Sequence, residues 1–366
     1  MASRGRKVLV GCLIFLGAGV LLVIVSVVAF VLWLRAPGTP LEGSRLVDAG
    51  TAVYAELRLR AEDEAARELL RSVFEAAQPR ELPDEAEMPE PLRWALGGIP
   101  RRRASDKELN RILPIVVVQT RQEASPGAAG PPLFGVSFPR AGNSMRLVDA
   151  AMSFVIRRSR EGARREVHHG ESLYRLSEGG RSLWACIVGT DVLIAADDGP
   201  VRAGIDRLLA NAKGPPPGDP LMAARPADGV LYLAAREGHA PALGDLVGAA
   251  FPAVAEALRP ALREAGPATL WARLRSADLL EGEIRVEEPA AGPAAGRARE
   301  VPEVSGSLTA ALQEGEVAFA FAPLPAEPGV RGAWRIEVRG LAAAARHALE
   351  ALPRAGRDRS RVRVRP

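Results

Sequence analysis

Apolar residues divide the chain into one uninterrupted run and a long patterned remainder. Val8 to Leu34 reads VLVGCLIFLGAGVLLVIVSVVAFVLWL, without a charged side chain. As a helix rising 1.5 Å per residue the run would be about 40 Å long, more than the ~30 Å hydrocarbon core of a bilayer. It predicts a transmembrane signal-anchor helix, with Val8, Leu9, Leu13, Phe15, Leu21, Ile24, Phe30 and Trp33 as its anchor residues. Arg4, Arg6 and Lys7 precede the run, and Arg35 is the basic residue close behind it. The positive-inside rule then keeps residues 1–7 in the cytoplasm and exports the rest. The run is too long for the apolar region of a cleaved signal peptide. Cys12, in the lipobox-like Leu9-Val10-Gly11-Cys12, arrives too early for lipoprotein processing.

Behind a short Pro/Gly spacer at 35–47, the period of the pattern changes repeatedly. Ala52 to Leu59 alternates as a strand does, and Glu62 to Gln78 carries Leu69, Leu70, Val73 and Phe74 at helical spacing. The acidic, proline-rich stretch from Pro79 to Pro91 reads as a loop, followed by a helical or irregular stretch to Arg111. Strands are expected over 115–120 and 133–138, separated by a loop SPGAAGPP, and an amphipathic helix over 144–158. Four strands at 165–169, 172–177, 183–188 and 192–196 follow, joined by turns tight enough for an antiparallel meander. Asp198 before Gly199-Pro200 reads as the cap of a helix whose packing stripe is Val201, Ile205, Leu208 and Leu209. After the Pro/Gly linker at 213–218, Asp228 to Arg236 echoes Asp48 to Arg58, with Tyr232 and Arg236 matching Tyr54 and Arg58. A helix, a strand pair at 269–275 and 280–287, and a further strand near 315–321 complete the pattern.

These elements predict an α+β class: an N-terminal transmembrane helix, then an ectodomain of antiparallel meander sheets packed with helices, built as a divergent duplication. The expected segments are a first α+β unit at 48–213, a linker at 214–225 and a second α+β unit at 226–288. A linker at 289–303, a strand/helix segment at 304–353 and an Arg-rich tail at 354–366 follow. The strand–helix opening, the meander and the closing sequence VLIAADDGPVRAGIDRLL resemble ectodomains of uncharacterised single-pass bacterial envelope proteins assigned to domains of unknown function, over residues 44–288. That resemblance implies an envelope role and transfers no catalytic residue.

Composition adjusts this picture in two places. Lysine occurs only at Lys7, Lys107 and Lys213, so arginine supplies nearly all of the 48 basic residues, and a net charge of +4 over 366 residues is small. The basic balance therefore does not point to nucleic acid. Cys186 is the one cysteine outside the apolar run, so an exported fold has no intramolecular disulfide and depends on packing. Its setting in Leu183-Trp184-Ala185-Cys186-Ile187-Val188 reads as a buried thiol.

Candidate chemistry is sparse. His168-His169 is the most tempting pair, but adjacent residues on a strand point to opposite faces, so the two imidazoles share an ion only if the backbone is re-aimed. His239 and His347 are remote in sequence, and no metal-ligand spacing emerges. Nucleophile elbows, S-x-x-K signatures and phosphate loops are absent from the sequence. No catalytic residue, cofactor or metal is assigned. Arg101-Arg102-Arg103 and Arg157-Arg158-Ser159-Arg160 read as solvated surface. Arg357, Arg359, Arg361, Arg363 and Arg365 are candidate contacts to an anionic partner. The expected role is a non-enzymatic scaffold or binding module at the outer face of the cytoplasmic membrane. Its partners would be the bilayer through 8–34 and an envelope protein or anionic polymer. A carrier of lipid or another apolar ligand, and a hydrolase with an unrecognised site, are the alternatives.

Overall fold

A computed structural model of the chain describes residues 42–77, 113–139, 142, 144–158, 163–178, 181–211, 219–250, 252–263, 265–289, 306–312, 315–325 and 327–342. The strands are β1 (Thr51–Leu59), β2 (Ile115–Ser125), β3 (Ala128–Ser137), β4 (Ala163–His168), β5 (Glu171–Glu178), β6 (Arg181–Val188) and β7 (Asp191–Ala195) in the first half. The second half adds β8 (Leu231–Ala235), β9 (Ala268–Ser276), β10 (Leu279–Glu287), β11 (Gly306–Leu312), β12 (Gly315–Pro323) and β13 (Val330–Arg339). The helices are α1 (Glu64–Ala77), α2 (Ser144–Arg158), α3 (Asp198–Ala210), α4 (Pro220–Ala223), α5 (Pro241–Ala250) and α6 (Pro252–Leu262).

All thirteen strands join one sheet in the order β11-β12-β13-β10-β9-β8-β1-β2-β3-β7-β6-β5-β4. Each neighbouring pair is antiparallel. The two sides of the central β1–β8 pair have similar orders. From the middle outward, each runs through a first strand, a hairpin, and then the last strand of a meander laid beside that hairpin.

Burial explains the order. On β1, Val53 and Leu59 join an apolar cluster with Leu233 and Ala235 of β8, Ala66 and Leu70 of α1, and Leu243, Leu258 and Leu262 of α5 and α6. Tyr54, which alternation points to the opposite face, packs with Tyr232 and Ala234 and with a second cluster under α3. That second cluster contains Val116, Leu133, Leu173, Trp184, Cys186, Leu193, Val201 and Ile205. The central strands are thus covered on both faces, and the flanking halves bury opposite ones. The β9–β10–β13–β12 side lies under α1, α5 and α6, and the β2–β3–β7–β6–β5 side lies over α3. Gly204 sits mid-helix because α3 comes close to the sheet: a Cβ there would meet Leu133 at 2.6 Å and Leu193 at 3.2 Å.

Several expectations are corrected. The described residues form mainly one antiparallel sheet rather than a transmembrane helix followed by an α+β ectodomain of separate meander sheets. Hydrogen bonding between β1 and β8 is what merges the two expected units. Among the described residues no helix is long and apolar enough to cross a membrane, since each is short and covers a sheet with one face. The run 8–34, its anchor residues and the flanking Arg4, Arg6 and Lys7 lie outside the described residues. The signal-anchor and single-pass inner-membrane placement are withdrawn on this finding. The acidic stretch at 79–91 and the segment leading to Arg111 also lie outside.

The expected SPGAAGPP loop is mostly strand, because β2 and β3 form a long hairpin turning at Gly127, with bulges beyond Arg121. Pro131 and Pro132 are tolerated there because β3 pairs with β7 only over Phe134 to Ser137, and on the β2 side the bulge beyond Arg121 leaves Pro131 without a register partner. Asp198 does not cap α3. Asp197 occupies the N-cap position without a side-chain bond, and Asp198 lies in the first turn, paired with Arg202 at 3.0 Å.

Closing the space at Gly204 tests the packing of α3. The Gly204→Val variant is expected to lose about 1–3 kcal/mol of stability, the usual cost of overpacking. The measurement is the urea midpoint, and an unchanged midpoint contradicts the close approach.

Candidate functional site

Two polar clusters stand out from the apolar framework. The first is at the sheet centre, where Tyr54, Glu56 and Arg58 alternate onto one face of β1 and Tyr232 of β8 lies opposite Glu56. Glu56 is only 3% exposed. It is compensated on all sides: the Tyr54 hydroxyl donates to Oε2 at 2.7 Å, and Arg58 Nε and Arg225 Nη2 donate to Oε1 at 2.9 and 2.7 Å. The Tyr232 hydroxyl donates to the Leu221 carbonyl at 2.7 Å, tying α4 to the same face. Glu56, Arg58, Arg225, Pro226, Gly229, Val230 and Tyr232 line a shallow recess with room for no more than about one water.

At the other end of β1, Arg236 donates to the Thr51 and Asp48 carbonyls at 2.6 and 3.0 Å and to Asp219 at 2.8 Å. Asp219 in turn accepts from the Leu221 amide, capping α4. Residues 219–225, expected as part of a linker, are therefore a packed brace over the central strands. Arg58 and Arg236, matched in sequence, bond differently: one reaches a carboxylate on its own strand, the other the start of β1 and α4.

Burial governs protonation at this centre. It pushes the Tyr54 hydroxyl well above its ordinary value, helped by the adjacent Glu56 carboxylate, and raises Tyr232 more strongly than Arg225 lowers it. Tyr174, raised by burial and by its bond to Asp149, donates to that carboxylate at 2.6 Å. Cys186 is fully buried; burial, with smaller contributions from Glu171 and Asp149, pushes its thiol up to about 12, which suits an inert core residue rather than a nucleophile.

The second cluster is at the sheet edge. His168 ends β4, and His169 and Gly170 form the turn to β5 with φ of 50° and 87°. The turn swings His169 out of the strand alternation that would separate the two rings. Both imidazoles consequently reach one oxygen of Asp206 on α3: His168 Nε2 at 2.8 Å and His169 Nε2 at 3.2 Å. The sequence names this pair, but its partner is visible only once α3 is laid against the edge strand. The side chains of Arg101, Arg102, Arg103, Arg157, Arg158 and Arg160 lie outside the described residues, as do Arg357, Arg359, Arg361, Arg363 and Arg365. The two clusters share no residue.

Comparison with protein-family models, with curated proteins and with solved structures found no match to the chain.

Two outcomes follow from the central cluster. A raised tyrosine favours the folded state fully below its unfolded pKa of about 10, and that contribution is lost as pH climbs from there through the folded value. All three tyrosines are raised. Tyrosinate absorbance at 295 nm is therefore expected to appear above its usual midpoint, together with loss of structure by circular dichroism. A tyrosine ionising near pH 10 in the folded chain contradicts the burial. Glu56→Ala removes the shared acceptor of Tyr54, Arg58 and Arg225 and is expected to cost about 3 kcal/mol in chemical denaturation, the lower end for a broken buried pair because both guanidiniums keep some water.

Proposed function

We propose that the chain is a non-enzymatic binding module that docks a protein partner on the open face of its first half. The supporting observation is a contrast between the two outward sheet faces. On the second half, the face turned away from α1, α5 and α6 carries Arg273, Arg275, Glu281, Arg285 and Glu337, several of them in ion pairs. That is a solvated surface. On the first half, the face turned away from α3 carries apolar side chains in register across three strands. Val136, Val192 and Ile187 form one row, and Phe134, Ile194 and Ala185 the next. Phe134 is 39% exposed, Leu183 43%, and Val167 on the edge strand 60%. Among the described residues α2 crosses this face at Tyr174, which bonds Asp149 and Ser153, and α2 itself exposes Leu147 and Val148.

A contiguous apolar patch marks interaction surfaces more often than ordinary monomer surface. Among the described residues it is a sheet face rather than an enclosed cavity, which favours a macromolecular partner over a carried lipid. The buried carboxylate at the sheet centre is already saturated by Arg58, Arg225 and Tyr54, so it offers no general base for hydrolysis.

A photo-crosslinking amino acid placed at Leu183 or Phe134 of the full chain, in its native cells, is expected to trap a discrete protein partner. The same probe at Glu283, on the charged face, is expected to trap none. Identical products from all three positions, or none from Leu183 and Phe134, overturn the docking reading.

A further inference from the structure

We propose that His168, His169 and Asp206 form a binding site for a divalent, imidazole-preferring first-row metal ion of the zinc class. This goes beyond the docking reading and does not rest on it. The ligand atoms of the three residues all lie within 4.8 Å of one another. In a tetrahedral zinc site, with Zn–N and Zn–O near 2.0–2.2 Å, neighbouring donor atoms are about 3.3–3.5 Å apart. The observed separations from Asp206 Oδ1, 2.8 and 3.2 Å, need to open by about 0.1–0.7 Å to match. Two imidazoles and one carboxylate suit zinc, cobalt, nickel or copper, whereas calcium and magnesium take predominantly oxygen ligands.

The backbone supplies a second, independent argument. His169 has φ of 50°, in the left-handed region that costs free energy for a residue bearing a Cβ. Asparagine or glycine would make the same tight turn more cheaply. Histidine there brings a second ring to the carboxylate that the first already meets, the two ring centroids lying 4.4 Å apart at 65°.

The limbs of the site are also braced. One turn before Asp206, Arg202 of α3 pairs with Glu166 of β4 and with Asp198 of its own helix. A step of two residues along a strand is about 6.6 Å and a step of four along a helix about 6 Å, so Glu166–Arg202 and His168–Asp206 stack as successive rungs. The outer rung fixes the register in which the inner one presents its ligands. An ion bound by the three groups joins the edge strand to the helix beneath it. Asp206 is half-exposed and His169 more so, which leaves the remaining coordination position to solvent.

The test is titration of the untagged full chain with Zn2+ by calorimetry and with Co2+ by visible absorption. One equivalent is expected to bind, with Co2+ giving the intense d–d bands of a four-coordinate site and Zn2+ raising the thermal midpoint. His169→Asn tolerates the left-handed turn and removes the ring, and Asp206→Asn removes the charged oxygen. Each is expected to weaken binding by at least about tenfold, the scale on which even outer-shell groups act. Each is also expected to abolish the Co2+ bands while leaving the metal-free circular dichroism unchanged. Failure of the wild-type chain to bind Zn2+ below about 1 mM, or equal binding by both variants, overturns the proposal.

Discussion

Five cross-strand pairs, from Val53–Ala235 to Leu57–Leu231, hold the thirteen strands in one sheet. Everything on either side hangs from this junction. If β1 and β8 did not pair, each half would keep an unsatisfied strand edge, and the apolar residues on both faces of that edge would meet water. Backbone bonding joins the halves, while side chains make the joint specific: Tyr54 beside Tyr232 with ring centroids 6.2 Å apart, Arg225 into Glu56, and Arg236 onto the start of β1. A one-residue slip would turn Glu56 into the apolar cluster beneath α1 and carry Val53 to the polar brace. The buried carboxylate therefore acts as a register mark as much as a source of stability.

The same junction accounts for the alternating burial. Helices cover the central pair from both sides, α1 with α5 and α6 on one face and α3 with α4 on the other. Farther out, among the described residues, helices cover mainly one face of each half, with α2 crossing the other face of the first half at Tyr174. The second half turns charges outward on its free face, as an antiparallel sheet commonly does. The first half departs from that rule, and its departure is the basis for reading a partner surface there.

Local pattern in the sequence carries much of the element order, because alternation and helical spacing need only neighbouring residues. β1 and α1, the β4–β7 meander, α3 and the β9–β10 hairpin fall where Ala52 to Leu59, Leu69-Leu70, the glycine turns and the Ile205 stripe place them. Long-range partners are invisible to that reasoning. Arg225 lies 169 residues from Glu56, and α1 packs on β9 across the sheet centre. Nothing in the spacing of Tyr54, Glu56 and Arg58 separates a buried trio from a solvated strand face. Pro131 and Pro132 mislead for a different reason: proline costs a ladder bond only where its nitrogen faces a bonded neighbour, and the missing neighbour and the bulge are tertiary facts. His168-His169 fails at the level of one dihedral angle, since strand alternation stops applying at the residue where φ turns positive. The apolar run at 8–34 has the opposite character, strong in pattern but outside the described residues, and no described helix shares its length.

Placing β1 at the centre also fixes the order in which the molecule can be completed during synthesis. The first-made strand receives its second neighbour only when β8 emerges about 170 residues later, and α1 waits longer still for β9. Until then the nascent first half carries an open edge and a helix without its receiving surface, both prone to association with other chains. Contacts this remote in sequence slow folding, because chain closure must precede the reward of pairing. A topology that leaves a protected centre in the finished molecule makes that centre the most exposed part of the unfinished one.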